Sequence, residues 1–98
     1  MSLTLCVLLW AHPEAEDALI AHEDEVLGFV TEHGGRVVQR ARSAGFGGDP
    51  LEIQLLEFPS AAVDAYMADG RRAMLTDERD RAIARTEVIT VELVGPGG

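Results

Sequence analysis

Leu3-Thr-Leu-Cys-Val-Leu-Leu-Trp10, closed by Ala11-His12-Pro13, is the stretch that decides the fold. A run of mostly apolar residues ended by a proline turn predicts a strand buried on both faces rather than one with a solvated side. Such a strand needs neighbours, and Arg36–Ser43, Leu51–Phe58 and Thr86–Val94 have the composition to flank it. Two helical segments are available to cover one face of the resulting sheet. The other face must then be hidden by something outside the chain, which argues for a second subunit.

Pro13 suits the start of a helix, and Glu14, Glu16 and Asp17 put negative charge where the helix dipole favours it. The spacing predicts a helix to about His33, stopped by Gly34-Gly35. At ~100° per residue, Leu19, Val26, Leu27 and Val30 share a face, with Ile20 at one edge and His22 and Phe29 toward the other. Glu23 falls inside this apolar stripe. In the second strand Val37, Gln39 and Ala41 alternate with Val38, Arg40 and Arg42, and in the third Leu51, Ile53 and Leu55 alternate with Glu52, Gln54, Leu56 and Phe58. The glycine-rich connection 44–50 between them is of hairpin type. Pro59-Ser60 opens a second helix with Ser60 as N-cap, Val63, Met67 and Met74 on one side and Tyr66 at its edge. Gly70 breaks or bends it, and Thr76-Asp77 starts a further charged segment anchored by Ile83.

The order is β-α-β-β-α-β. With right-handed crossovers both helices fall on one face and the first and third strands become central, an α+β, ferredoxin-like split βαβ fold with a four-stranded antiparallel sheet. Which parity of each strand faces the helices is not fixed by the sequence. Residues 1–94 are expected to form a single domain and 95–98 a frayed tail.

Composition narrows the function. The 98 residues carry a net charge of −9, with eight arginines and no lysine. That balance argues against nucleic acid and against anionic membranes, and the absence of lysine excludes Schiff-base chemistry. The single cysteine, Cys6, cannot form an internal disulfide and reads as a small buried hydrophobe. No secretory leader and no membrane-spanning run is visible, so a cytoplasmic location is expected. The three histidines are ten and eleven residues apart, without metal-ligand spacing, so neither a metal site nor a cofactor is expected.

Glu23 is the leading candidate for chemistry. A carboxylate in an apolar stripe is desolvated into a proton acceptor, or paired with a buried partner, or lies at the edge of the stripe. His22 beside it is a proton relay or a packing residue. Trp10, His12, Tyr66 and Met67 are the candidate substrate-binding residues. Trp10 and Tyr66 offer flat apolar surfaces, Met67 an adaptable wall, and His12 a place on a loop that borders a pocket. Trp10 is equally suited to a dimer interface.

Leu56-Glu-Phe-Pro-Ser-Ala-Ala-Val-Asp-Ala-Tyr-Met-Ala-Asp69, followed by Ala82-Ile-Ala-Arg-Thr-Glu-Val88, carries a family resemblance. The chain resembles the dimeric α+β barrel superfamily, in particular its small members related to antibiotic-biosynthesis monooxygenases, EthD-like proteins and an uncharacterised bacterial family of similar length. The resemblance implies a two-fold homodimer in which two sheets pack into a barrel, with a pocket between each sheet and its own helices. In some relatives that pocket takes aromatic substrates for oxygenation or isomerisation without metal or flavin. No residue set here matches a monooxygenase catalytic signature, so catalysis is not carried over. Two classes of function follow: a cofactor-independent monooxygenase- or isomerase-like enzyme acting on an apolar or aromatic metabolite, and a non-catalytic ligand-binding or assembly module.

Overall fold

Four strands, β1 (Ser2–Ala11), β2 (Arg36–Arg42), β3 (Glu52–Pro59) and β4 (Ile83–Val91), form one sheet in the order β2-β3-β1-β4. Every neighbouring pair is antiparallel. This is the expected ferredoxin-like α+β arrangement, seen in a computed structural model that describes residues 1–96. The last two residues of the expected tail, 97 and 98, lie outside the described residues.

The side chains of β1 alternate as a strand requires, with Leu5, Val7 and Leu9 buried against the helices. Cys6, Leu8 and Trp10 point to the other face and are half-buried. Burial on both faces is therefore not met within one chain, because helices cover only one side. The register fixes the parity of the other strands: Leu5 opposes Leu56 and Thr90, and Val7 opposes Gln54 and Val88. The helix-facing row of β3 is thus Glu52, Gln54, Leu56 and Phe58, all buried, while Ile53 and Leu55 look outward. In β2 a bulge at Val38 shifts the register between Val37 and Gln39. Strict alternation would group Val37 with Gln39 and Ala41; the bulge instead places it on the helix side, in the row of Arg40 and Arg42.

Helix α1 covers Glu16–Leu27 and is shorter than expected at both ends. Glu14 takes φ 65° in a turn closed by Ala15 N–H on the His12 carbonyl, 3.0 Å, so Pro13 stays outside. At the other end Gly28 weakens the helix, and Thr31–His33 form a separate tight turn ending on Gly34 at φ 77°. Gly35 then passes so close to β3 that a Cβ there would sit 2.6 Å from the Phe58 ring. The second helix is three short pieces: α2 (Val63–Met67), α3 (Gly70–Met74) and α4 (Thr76–Ala82).

The cap expected at Ser60 does not form, and Thr76 at the head of α4 does not cap it either. The Ser60 hydroxyl bonds the Met1 carbonyl, 3.1 Å, and Thr76 bonds the Ala73 carbonyl, 2.8 Å. The cap that does form is Asp69, which accepts from the Arg71 N–H at 2.9 Å and breaks the helix one residue before Gly70. The break turns Met74 out to 85% exposure, so it belongs to no apolar face. Tyr66, expected at an edge, is instead a buried anchor, its ring 4.9 Å from that of Phe58. Strand β4 begins three residues earlier than expected, because Ile83 pairs with Ala11 across a bulge at Ala84.

Candidate functional site

Two inversions of the ordinary pattern build the site. Helix α1 carries His22 and Glu23 on its buried side, with 2% and 6% exposure. Strand β3 turns Glu52 and Gln54 toward them and sends its aliphatic Ile53 and Leu55 outward. Buried polar groups must be bonded, and these are. The Gln54 amide donates to Glu23 Oε1 and to Glu52 Oε2, both at 2.7 Å. Arg40 grips Glu52 with a two-pronged fork, Nε to Oε2 at 3.1 Å and Nη2 to Oε1 at 3.0 Å, and Arg42 adds a third bond at 3.0 Å. Arg40 also reaches Asp24 on α1 at 2.7 Å. A continuous chain Asp24, Arg40, Glu52, Gln54, Glu23 therefore runs from the surface to the underside of α1.

Above Glu23 lies a cavity of about 280 Å³ between the sheet and the helices. Leu5, Val7 and Leu9 of β1, Leu56 of β3 and Val26 of α1 supply apolar walls, and His22, Glu23, Gln54, Tyr66, Arg72 and Arg79 supply polar groups. Met67 and Val88 also line it, and their solvent exposure places them at its mouth. Among the expected residues, His22, Glu23, Tyr66 and Met67 thus meet in one cavity.

Burial pushes the Glu23 carboxyl up from its ordinary value, and the neighbouring Glu52 adds to this; the Gln54 bond, His22 and Arg72 pull the other way. His22 Nδ1 lies 3.1 Å from Glu78 Oε1 of α4. A carboxylate only accepts, so Nδ1 is the donor in this contact. Nε2 stands 3.9 Å from Glu23 Oε2, close enough for electrostatic contact and too far for a hydrogen bond. The arrangement offers an imidazole oriented by a carboxylate and, next to it, a desolvated carboxyl poised to hold or release a proton. Tyr66 is pushed up by burial as well, and its hydroxyl accepts from Arg72 Nη1 at 3.0 Å.

Trp10 and His12 lie elsewhere. Trp10 is on the outer face of the sheet, its indole N–H bonded to the Gly48 carbonyl at 2.8 Å and its ring 4.5 Å from the Arg85 guanidinium. His12 ties the β1–α1 turn to α4 through the Asp80 carbonyl, 3.1 Å. Gln54, Glu78, Arg72 and Arg79 were not singled out from the sequence as site residues. Among the described residues, no three His, Cys, Asp or Glu side chains are gathered to hold a metal ion. No helix among them is long and apolar enough to cross a membrane.

A four-stranded antiparallel sheet in the order β2-β3-β1-β4, with helices on one face and a cavity between them, defines the class: a ferredoxin-like α+β fold. The Rv0793 protein of Mycobacterium tuberculosis superposes with TM-score 0.74 over 100% of both chains, at 15% identity. A putative antibiotic biosynthesis monooxygenase from Bacteroides thetaiotaomicron matches with TM-score 0.70, covering 98% of this chain and 92% of that one at 15% identity. A dimeric protein of unknown function and ferredoxin-like fold from Bacteroides fragilis matches with TM-score 0.68 over 94% of this chain and 96% of that one, at 9% identity. At such identities the similarity is one of fold. No protein-family model and no curated protein matches the sequence.

Proposed function

We propose that the protein is a homodimer that takes an apolar or aromatic metabolite into the cavity between sheet and helices, and that Glu23, with His22 beside it, handles a proton of that ligand without a bound cofactor. The observation that carries this reading is Glu23 itself, a buried carboxyl raised by desolvation and lining a cavity walled by aliphatic side chains. A cavity of this size is at the small end of the range for small-molecule sites, roughly 300–1,000 Å³. Homodimerisation is supported by the outer face of the sheet, where Leu8, Ile53, Leu55 and Ile89 stand uncovered or half-covered.

A second reading, a ligand-binding module without catalysis, is favoured by one distance: at 3.9 Å His22 and Glu23 do not form a hydrogen-bonded relay. Native mass spectrometry of the protein as purified tests the shared part of both readings. A two-chain mass carrying a reproducible small-molecule increment is expected, and a bare one-chain mass contradicts it. Glu23→Gln and His22→Ala then separate the two. In the enzyme, each variant still retains the ligand and no longer converts it; in the module, retention is the only activity and no conversion is seen in the parent either.

A further inference from the structure

Seventeen acidic side chains compete for eight arginines in this chain. Arg36, Arg40, Arg42, Arg71 and Arg85 each bond at least one of them. Among the described residues Arg72, Arg79 and Arg81 bond none, and two of these three, Arg72 on α3 and Arg79 on α4, line the same cavity. Arg72 lies over the Tyr66 ring, its guanidinium carbon 4.6 Å from the centroid, and gives Nη1 to the Tyr66 hydroxyl. Its Nε is buried and bonded to nothing in the protein. Arg79 is held by a single bond, Nη2 to the Thr86 hydroxyl at 2.7 Å. Glu23 feels the charge of Arg72, but its Oε1 takes the Gln54 amide and no hydrogen bond or ion pair joins it to Arg72.

Orphaned donors of a charged guanidinium are rare in a buried place, because nothing else repays the lost hydration. With two arginines against one buried carboxyl, the cavity is locally positive inside a protein of net charge −9. Resting on the cavity reading above, we propose that the ligand is anionic: an aromatic or alicyclic carboxylate whose ring lies against Leu5, Val7 and Leu56 and whose carboxylate is received by Arg72 and Arg79. The planar guanidinium fork matches a carboxylate in two bonds, whereas a neutral hydroxyl or amide takes only one of them. Tyr66 stacks under Arg72 and sets the fork's plane, so it positions the arginine rather than the ligand's charge.

Isothermal titration of naphthoate, and of its neutral counterpart naphthylmethanol, into the full-length protein tests this. The parent is expected to bind naphthoate at least about tenfold more tightly than naphthylmethanol, and Arg72→Gln or Arg79→Gln to weaken naphthoate by about tenfold while leaving the neutral probe unchanged. Arg72→Lys, which keeps the charge without the fork, should restore part of the loss, a pattern that a merely structural role does not produce; thermal melts of each variant establish that it is folded. Equal binding of both probes by the parent, or naphthoate binding unmoved by the arginine variants, overturns the anionic ligand and leaves the cavity reading standing. Failure of both probes to bind the parent overturns the two together.

Discussion

Gln54→Leu cuts the chain of bonds under the cavity at its centre while nearly conserving side-chain volume. The two bonds it removes are both 2.7 Å and both go to carboxyl oxygens. Glu52 keeps its fork from Arg40 and its bond from Arg42, so it stays satisfied. Glu23 keeps only the fields of His22 and Arg72, since no other side-chain donor among the described residues bonds it. A bond to a charged group contributes about 1.5–3 kcal/mol. With one partner rescued and one stranded, the net loss should be about 2–4 kcal/mol. In a domain of this size that is roughly a 10–25 °C drop in Tm. The pH dependence carries the sharper signature. The Gln54 bond holds the Glu23 carboxyl down against the push of burial, so its loss raises that carboxyl further. A carboxyl raised in the folded state binds more protons folded than unfolded, and stability then falls as pH rises through its folded pKa. The deficit of the variant must therefore grow as pH rises through that folded pKa and shrink below it, where the protonated carboxyl no longer needs the amide. Urea and thermal unfolding at fixed protein concentration measure both. A loss below about 1 kcal/mol above that folded pKa, or a loss that grows on acidification, refutes the argument.

The same linkage applied to Glu23→Gln predicts the opposite sign. The variant removes a desolvated charge while its amide oxygen still accepts from Gln54, so its Tm at neutral pH should equal or exceed that of the parent, with a flatter fall toward alkaline pH; a clear destabilisation across the range would show Glu23 to be a structural partner. Gly35→Ala places a methyl group 2.6 Å from the Phe58 ring and 2.8 Å from the Glu57 carbonyl, and should lower stability by about 1–3 kcal/mol in a urea titration, whereas a neutral result would mean that β2 can move away from β3. Leu55→Glu puts a charge in the middle of the outer sheet face and should convert a two-chain sedimentation mass to a one-chain mass with little change in far-UV circular dichroism; a parent that already sediments as one chain at micromolar concentration contradicts the dimer.

The element order and the central place of β1 were legible because strand and helix periods, proline and glycine act locally. The interior was not, and the reasons are particular. Parity in β3 follows from pairing with β1, and both of its rows hold apolar residues, so the strand alone does not say that Glu52 and Gln54 turn inward, where Arg40 and Gln54 satisfy the buried carboxylate. The bulge at Val38 leaves no mark in the sequence, since both Val37 and Val38 fit either face. Ser60 has the composition of an N-cap, but its hydroxyl goes to the Met1 carbonyl, 59 residues away in the chain, and the cap forms at Asp69 where the sequence marks only a break at Gly70. Glu23 stood out from the start as the one acid in an apolar stripe. Glu78, Arg72 and Arg79 come from a segment that reads as an ordinary charged helix, and only the two breaks that split it into α2, α3 and α4 bring them to the cavity.

Burying Glu52 and Gln54 while exposing Ile53 and Leu55 is an expensive choice for β3, since an ion pair in the interior seldom adds stability over an apolar pair of similar volume. Two consequences of that choice concern function rather than folding. The outward aliphatic row gives the sheet a surface that a second copy can cover, which a solvated face would not. The inward polar row anchors Glu23 through a chain of bonds that begins at the two arginines of β2, so the carboxyl is fixed relative to the sheet and not only to its own helix. A site that moves a proton needs such fixing, because a carboxyl free to turn in an apolar cavity would protonate or leave for solvent. Replacing Arg40, Glu52 and Gln54 together by aliphatic residues should then cost no more stability than Gln54→Leu alone, since Glu23 loses the same donor in both, and yet loosen Glu23 further: a folded triple variant that still binds and converts ligand as the parent does would mean that the buried chain positions nothing.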